Sequence, residues 1–386
     1  MPNAVIVDAV RTPVGRRNGR LAGWHPVDLA AQPLRALVER NDLDPALIED
    51  VVMGCTMMVG EQAMNIGRNA VLAAGFPESV PGTSVDRQCG SAQQAVHFAA
   101  QAVMSGAMDI VIGAGIESMT RVPIGSTTDP GPGEAYGPAV HRRYQFIHQG
   151  LSAEEIAARW KVSRPEMDAF ALESHNRAAQ AQDEGRFAHE IIPLLAPTEA
   201  DEDAVLDYDE GVRQGSTIEK LAALAPAFAE DGLITAASSS QISDGSAAVL
   251  VMSEERAASL GLRPRARFHT FAVAANDPVI MLTAVIPATT LVLEKAKLKL
   301  SDMDAIEINE AFASVVLAWQ REFDPDMTKV NPNGGAIAIG HPTGCSGARL
   351  MATLLNELER TGGRYGLQTM CEGGGQANAT IIERLG

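Results

Sequence analysis

The sequence predicts an α/β protein whose sheets and helices stack in layers, and three observations carry that prediction. Short β-branched runs alternate along the chain with alanine-rich stretches of helical period. At 386 residues the chain is too long for one hydrophobic core, so it divides into domains. The plan also repeats. Asp50-Val51-Val52-Met53 has a counterpart 254 positions later in Asp304-Ala305-Ile306-Glu307. Cys89 stands 17 residues before Gly106, as Cys345 stands 17 before Gly362. A period this long means paired domains and not a solenoid.

Residues 3–8 (NAVIVD) and 50–54 (DVVMG) read as buried strands. Residues 27–40 carry apolar positions at helical spacing, with Asp28 near the positive end of the dipole and Arg40 near the negative end. Residues 90–105 read as a helix closed by Gly106, followed by a strand at 109–114, which a strand at about 365–370 mirrors. Between the halves, residues 119–244 differ in texture. The span 121–143 is a Pro, Gly and Thr-rich irregular loop; 151–160, 165–183 and 217–224 read as helical; 199–210 reads as an acidic surface stretch. An insertion with its own helices is expected to act as a lid or cap. Residues 246–253 return to a strand that rejoins the first sheet.

Composition narrows the function. The net charge of −17 argues against a nucleic-acid partner, which needs basic stripes, but leaves room for a phosphorylated small molecule held by a few arginines. No stretch reaches the ~18–20 apolar residues of a membrane span. The start, MPNAVIVDAVRTP, lacks a basic region and reads as a first strand, not as a signal peptide. Cys55, Cys89, Cys345 and Cys371 show no CxxC pairing, which disfavours a metal site or a disulfide framework. A cytoplasmic, reduced chain with reactive thiols is the expectation.

Several stretches carry chemistry. In SVDRQCGSAQQAV, Cys89 stands where a polar loop becomes a helix, and free N–H groups there stabilise a thiolate. A small packed cysteine is the competing reading. In NPNGGAIAIGHPTGCSGAR, His341 sits in a glycine-rich loop, and imidazole is the usual base for a thiol; a histidine satisfied within the loop is the alternative. In MCEGGGQ, Cys371 follows an apparent strand and precedes three glycines whose N–H groups can gather round an oxyanion. Asn309 and Glu310 are polar amid apolar neighbours in EINEAF, and TAASSSQISDGS offers hydroxyls to an extended ligand or simply forms a loop. Gly113-Ala114-Gly115 after DIVI lacks the third glycine of a dinucleotide fingerprint, and Ser118 stands in its place.

Taken together, these stretches resemble the thiolase family along essentially the whole chain. VDRQCGS is similar to its nucleophile segment, GGAIAIGHPTGCSGAR to its histidine segment, CEGGGQ to its second-cysteine segment and Asn309-Glu310-Ala311-Phe312 to its NEAF motif. The resemblance implies duplicated βαβαβαββ domains in an αβαβα arrangement with an inserted loop domain. The expected divisions are 1–118 plus 245–264, 119–244 and 265–386. It implies thiolytic cleavage of a 3-ketoacyl-CoA, with Cys89 as nucleophile, His341 activating it, and Cys371 as acid and base. It further implies one oxyanion met by His341 and a water on Asn309, and another met by the N–H groups of Cys89 and Gly373. For coenzyme A it implies contacts from Ser240, Arg213, His148 and Phe312. No cofactor and no metal is implied, coenzyme A being a substrate, and homodimers or homotetramers are expected.

The departures bear on the subtype. Relatives specialised for acetoacetyl-CoA tend to carry His-Met-Gly where this chain has His148-Gln149-Gly150, so a wider acyl pocket is expected. Ser238 replaces a usual asparagine, and SSQISDG is closer to degradative members of the family. Glu372 puts an acid beside Cys371, and Cys345 is expected to be a packing residue. A degradative thiolase is therefore the main reading. The alternatives are a biosynthetic acetyl-CoA C-acetyltransferase and, more remotely, a non-catalytic acyl-CoA binder, which would not need all of Cys89, His341 and Cys371.

Overall fold

The computed structural model describes residues 2–128, 133–198 and 200–386. Its principal strands are β1 (Ala4–Arg11), β2 (Asp50–Gly54), β3 (Thr83–Val85), β4 (Ile110–Ser118), β5 (Ser243–Ser253), β6 (Ala266–Ala275), β7 (Ala305–Ile308), β8 (Tyr365–Glu372) and β9 (Gln376–Arg384). Its principal helices are α1 (Pro26–Arg40), α2 (Ile66–Ala73), α3 (Ser91–Ser105), α4 (Gln149–Arg159), α5 (Arg164–Asp183), α6 (Val285–Ala296), α7 (Ala313–Phe323) and α8 (Ser346–Thr361). Among the described residues no helix is long and apolar enough to cross a membrane.

The strands run in the order β7-β8-β9-β6-β1-β5-β4-β2-β3. Both halves have the same wiring. In the first, β2 pairs parallel with β4, and β4–β5 and β5–β1 pair antiparallel. In the second, β7 pairs parallel with β8, and β8–β9 and β9–β6 pair antiparallel. Even the parallel neighbour of β2, strand β3, has its echo in a parallel bridge between Ile306 and Val330. Among the described residues, the strands of the two halves pair edge to edge at Val5–Arg267 and Ile6–Ala266. The duplicated, layered fold read from the sequence is the one observed.

Helices α3 and α8 form the middle layer. Ala92, Val96 and Ala99 of α3 and Ala348, Met351 and Leu355 of α8 share one core with Val249 and Val251 of β5. Each helix ends on a left-handed glycine, Gly106 at φ 74° and Gly362 at φ 73°, where a side chain would be strained. Gly113 and Gly115 lie inside β4, where a Cβ would strike Val96 in one case and Cys345 and Ala92 in the other. They let the middle helices approach the strand, which accounts for the incomplete fingerprint. Outside, α1 and α2 cover the first half and α6 and α7 the second.

The insertion carries α4 and α5, the latter started by a capping box of Ser163 and Glu166, a device worth about 1 kcal/mol. A buried guanidinium ties it to the sheet: Arg11 donates to Glu190 at 2.6 Å and to both oxygens of Asp209 at 2.6 and 3.0 Å. Asp209 is therefore interior, against the reading of 199–210 as a surface stretch; Glu199 lies outside the described residues. Among its described residues the loop 121–143 contains a helical turn at Pro138–His141; its residues 129–132 also lie outside the described residues. Strand β8 continues to Glu372, so Cys371 belongs to the strand instead of following it.

Candidate active site

Cys89 occupies a tight turn immediately before α3. Gly90 N–H donates to Arg87 O at 3.1 Å and Ser91 N–H to Gln88 O at 3.0 Å. The Ser91 hydroxyl accepts from Arg87 N–H at 2.9 Å and donates to Gln88 O at 2.6 Å. Gln88 is held at φ 51°, a left-handed value uncommon for a side-chain-bearing residue. The turn presents the half-buried Cys89 to a cavity of about 700 Å³. Burial, then the charge of Glu372, pushes the Cys89 thiol up to about 12, while its own N–H and that of Gly373 pull it back down. At neutral pH the sulfur is therefore protonated, and a base must remove its proton.

His341 lines the same cavity. Its N–H donates to Gln241 O at 3.2 Å and to the Ser243 hydroxyl at 3.3 Å, which fixes the loop to the entry of β5. Its Nδ1 lies 2.6 Å from Ser346 Oγ, and that hydroxyl donates to Pro342 O at 2.9 Å. The hydroxyl therefore accepts from Nδ1–H, which leaves the lone pair on Nε2. Asn309 Nδ2 lies 3.4 Å from Nε2, and Asn309 Oδ1 has no protein partner. Burial, helped by the Arg349 cation, brings the imidazole down to about 3, so it is neutral and able to accept a proton.

Two buried carboxylates shape the loops round this histidine. Glu117, at the end of β4, accepts from Thr56 N–H, Met57 N–H, Gln62 Nε2, Thr343 Oγ1 and Gly344 N–H at 2.7–3.1 Å. Glu310, in the segment after β7, accepts from Ser174 Oγ at 2.7 Å, Asn331 Nδ2 at 2.8 Å and Ile337 N–H at 3.1 Å. A Cβ on Gly335 would overlap the Glu310 carboxyl, so the histidine loop needs glycine there.

Cys371 is buried on β8, and its thiol is pushed upward by burial and then by the nearby Cys89 sulfur. The turn that follows needs left-handed residues, with Gly374 at φ 81° and Gly375 at φ 79°, and it aims the Gly373 N–H at Cys89. Cys345, by contrast, is the N-cap residue of α8 and is packed among the middle-layer side chains.

Ser240, Arg213, His148 and Phe312 all line the cavity that holds Cys89 and His341. His148 caps α4 by accepting from Gly150 N–H at 3.1 Å and stacks on Phe228 at 5.4 Å, and Phe228 meets Phe312 edge-on at 5.8 Å. Arg213 and Gln241 also border a smaller cavity of about 250 Å³ with His175, Ser216 and Lys220. Asn309, Cys371 and Gly373 stand behind this wall against His341 and Cys89. Sequence reasoning missed Ser346 and Glu117 and, among the residues lining the cavity, Phe228, Arg16 and Arg17. Ser346 lay within the histidine stretch, and Glu117 was signalled by an acid in an otherwise apolar strand; nothing local marked the others.

Two family models match the chain: thiolase N-terminal domain over residues 4–255 and thiolase C-terminal domain over residues 262–384. A steroid 3-ketoacyl-CoA thiolase (FadA6) of Mycobacterium tuberculosis is 51% identical, the match covering 100% of this chain and 95% of that one. A 3-oxoadipyl-CoA/3-oxo-5,6-dehydrosuberyl-CoA thiolase of Escherichia coli is 43% identical with both chains fully covered. The crystal structure of the Bacillus anthracis acetyl-CoA acetyltransferase superposes with a TM-score of 0.92 at 39% identity, covering 100% of this chain and 99% of that one. With both halves of the chain matched and the fold shared throughout, this protein belongs to the thiolase family of acyltransferases.

Proposed function

We propose that the chain is a degradative thiolase that cleaves a 3-ketoacyl-CoA with coenzyme A. The observation that carries this reading is the single cavity where Cys89 and His341 meet the lining of His148, Ser240, Arg213 and Phe312. Neutral His341 Nε2 takes the Cys89 proton, and the sulfur attacks the 3-keto carbon. The bond between C2 and C3 breaks, the acyl group stays on Cys89, and Cys371 protonates the departing acetyl-CoA enolate. Cys371 then takes the thiol proton of coenzyme A, whose sulfur attacks the acyl-enzyme and releases Cys89. The enolate oxygen is met by His341 and a water on Asn309, whose free Oδ1 suits that task. The tetrahedral oxyanion on Cys89 is met by the N–H groups of Cys89 and Gly373. Each such donor is worth about 10²–10³ in rate. The pantetheine arm lies along His148, Phe312 and Ser240, with the nucleotide end toward Arg213. No cofactor or metal is asked for.

The degradative direction is supported by names among the relatives: three of those most like this chain are called steroid 3-ketoacyl-CoA, β-ketoadipyl-CoA and 3-ketoacyl-CoA thiolases. Gln149 in the cavity, where acetoacetyl-specific members tend to have methionine, points the same way. Cytoplasmic residence and a homodimer or homotetramer belong to this reading; four unpaired cysteines suit a reducing compartment, and sedimentation would report the assembly. The test incubates the protein with 3-ketoacyl-CoAs of rising chain length plus coenzyme A, following thiolysis and the acyl mass on Cys89. Undiminished turnover in Cys89→Ala would overturn it. So would faster condensation of acetyl-CoA than thiolysis of every longer substrate.

A further inference from the structure

The carboxyl of Glu372 is buried at the one place where it can act on the nucleophile. It ends β8, next to Cys371, but it turns to the opposite face of the sheet. There it fills the space that a side chain at Gly90 would need, against the first turn of the Cys89 helix. With the Asn378 amide of β9 turned so that both of its ends are satisfied, Oε1 accepts from Asn378 Nδ2 at 2.9 Å and Asn378 Oδ1 accepts from Gln94 N–H of α3 at 3.1 Å. Among the described residues Oε2 has no hydrogen-bond partner, although Glu372 is wholly buried. An ionised carboxylate with an empty oxygen in such a place is costly, whereas the protonated acid is tolerated.

We propose that Glu372 is a positioning residue that sets the electrostatics of the nucleophile. Uncharged, it packs the Cys89 turn against the Gly373 turn and leaves the sulfur free to ionise; charged, it opposes negative charge on both cysteines. The proposal rests on the reading of Cys89 as nucleophile.

The charged and titratable groups facing this carboxyl are few. Arg87 and Asp86 lie on the loop before α3, Cys89 at its start and Cys371 on β8 itself; Asn378 and Gln94 complete the surroundings without charge. Arg87 is partly occupied elsewhere, donating through Nη1 to Gln376 Oε1 at 2.9 Å. Burial outweighs its attraction and raises Glu372 to about 8, with Asp86 adding to the rise. The carboxyl is thus neutral near pH 7 and charges just above it. Thiolysis and Cys89 reactivity are both restrained at alkaline pH by this single residue.

The test follows the iodoacetamide alkylation rate of Cys89, identified by peptide mass, and the thiolysis rate, from about pH 6 to 10 in wild type and Glu372→Gln. The amide keeps the shape and removes the charge. The expected result is about tenfold faster alkylation in the variant at a given alkaline pH, which corresponds to a thiol lowered by about one pH unit. A weaker alkaline decline in thiolysis accompanies it. Arg87→Gln serves as a second probe, because losing the cation moves the wild-type alkaline decline to higher pH. Coincident profiles for wild type and both variants, with Cys89 still labelled and acylated, would overturn the role of Glu372 alone. A Cys89 that neither alkylates nor acylates would remove the nucleophile reading and this role with it.

Discussion

The hydroxyl of Ser346 stands 2.6 Å from Nδ1 of His341 and donates its own hydrogen bond to Pro342 O, so one serine decides which nitrogen of the histidine carries the proton. Replacing Ser346 with alanine leaves Nδ1 without a partner and lets the wrong tautomer compete. The expected outcome is a fall in kcat of about 10–10² with little change in KM. Steady-state thiolysis checks it, and Ser346→Thr should recover much of the loss.

Asn309 reaches His341 Nε2 at 3.4 Å with its amide and keeps Oδ1 free. Asn309→Ala should lower kcat by about 10²–10³ through the enolate step. Alkylation of Cys89 should persist, because that step needs only the sulfur and its base. Loss of both together would place Asn309 in support of the fold instead.

Glu117 satisfies five donors from three segments of chain. Glu117→Ala leaves them buried and unpartnered, which should cost about 3–5 kcal/mol and activity with it, since Thr343 and Gly344 belong to the same loop as His341. Glu117→Gln keeps part of the network and should lose less. Thermal and urea unfolding measure both.

Burial lowers two histidines to about 3, His341 and His97, the latter stacked on Phe271 at 4.6 Å with Nε2 2.7 Å from Thr380 Oγ1. A histidine with a depressed folded value contributes its stability above the unfolded value of about 6.5. That stability is lost as pH falls toward 3, because the unfolded chain binds the proton first. The midpoint of thermal unfolding should therefore drop steadily between about pH 6.5 and 4. His97→Gln, remote from the cavity, should flatten that slope while lowering stability at pH 7 by about 1–3 kcal/mol.

Gln149 lines the cavity at the second position of His148-Gln149-Gly150. A methionine there narrows the acyl side and removes a polar end. Gln149→Met should shift the kcat/KM ratio of long over four-carbon substrates downward by about 3–10-fold. An unchanged ratio across chain lengths would place the acyl group elsewhere in the cavity.

Much of this site was legible in one dimension because its chemistry needs rare local arrangements. A cysteine at a helix start, a histidine among glycines and a cysteine before three glycines each leave a mark in a short stretch, and β7 ending just before Asn309 follows from its apolar run. The 254–256-residue repeat likewise announced the two halves, since the same hydrophobic pattern folds the same way twice. Only the tertiary structure decided which polar groups became interior. Asp209 reads as a surface acid until Arg11 of β1 pairs with it, and the buried Arg349 and Glu357 of α8 look solvent-facing until segments from both halves of the chain close over that helix. Glu372 gives no hint that it turns toward Gly90, because strand alternation fixes its face but not what lies across from it. Local propensity acts over a few residues, whereas burial, and with it protonation, is settled by segments far apart in sequence.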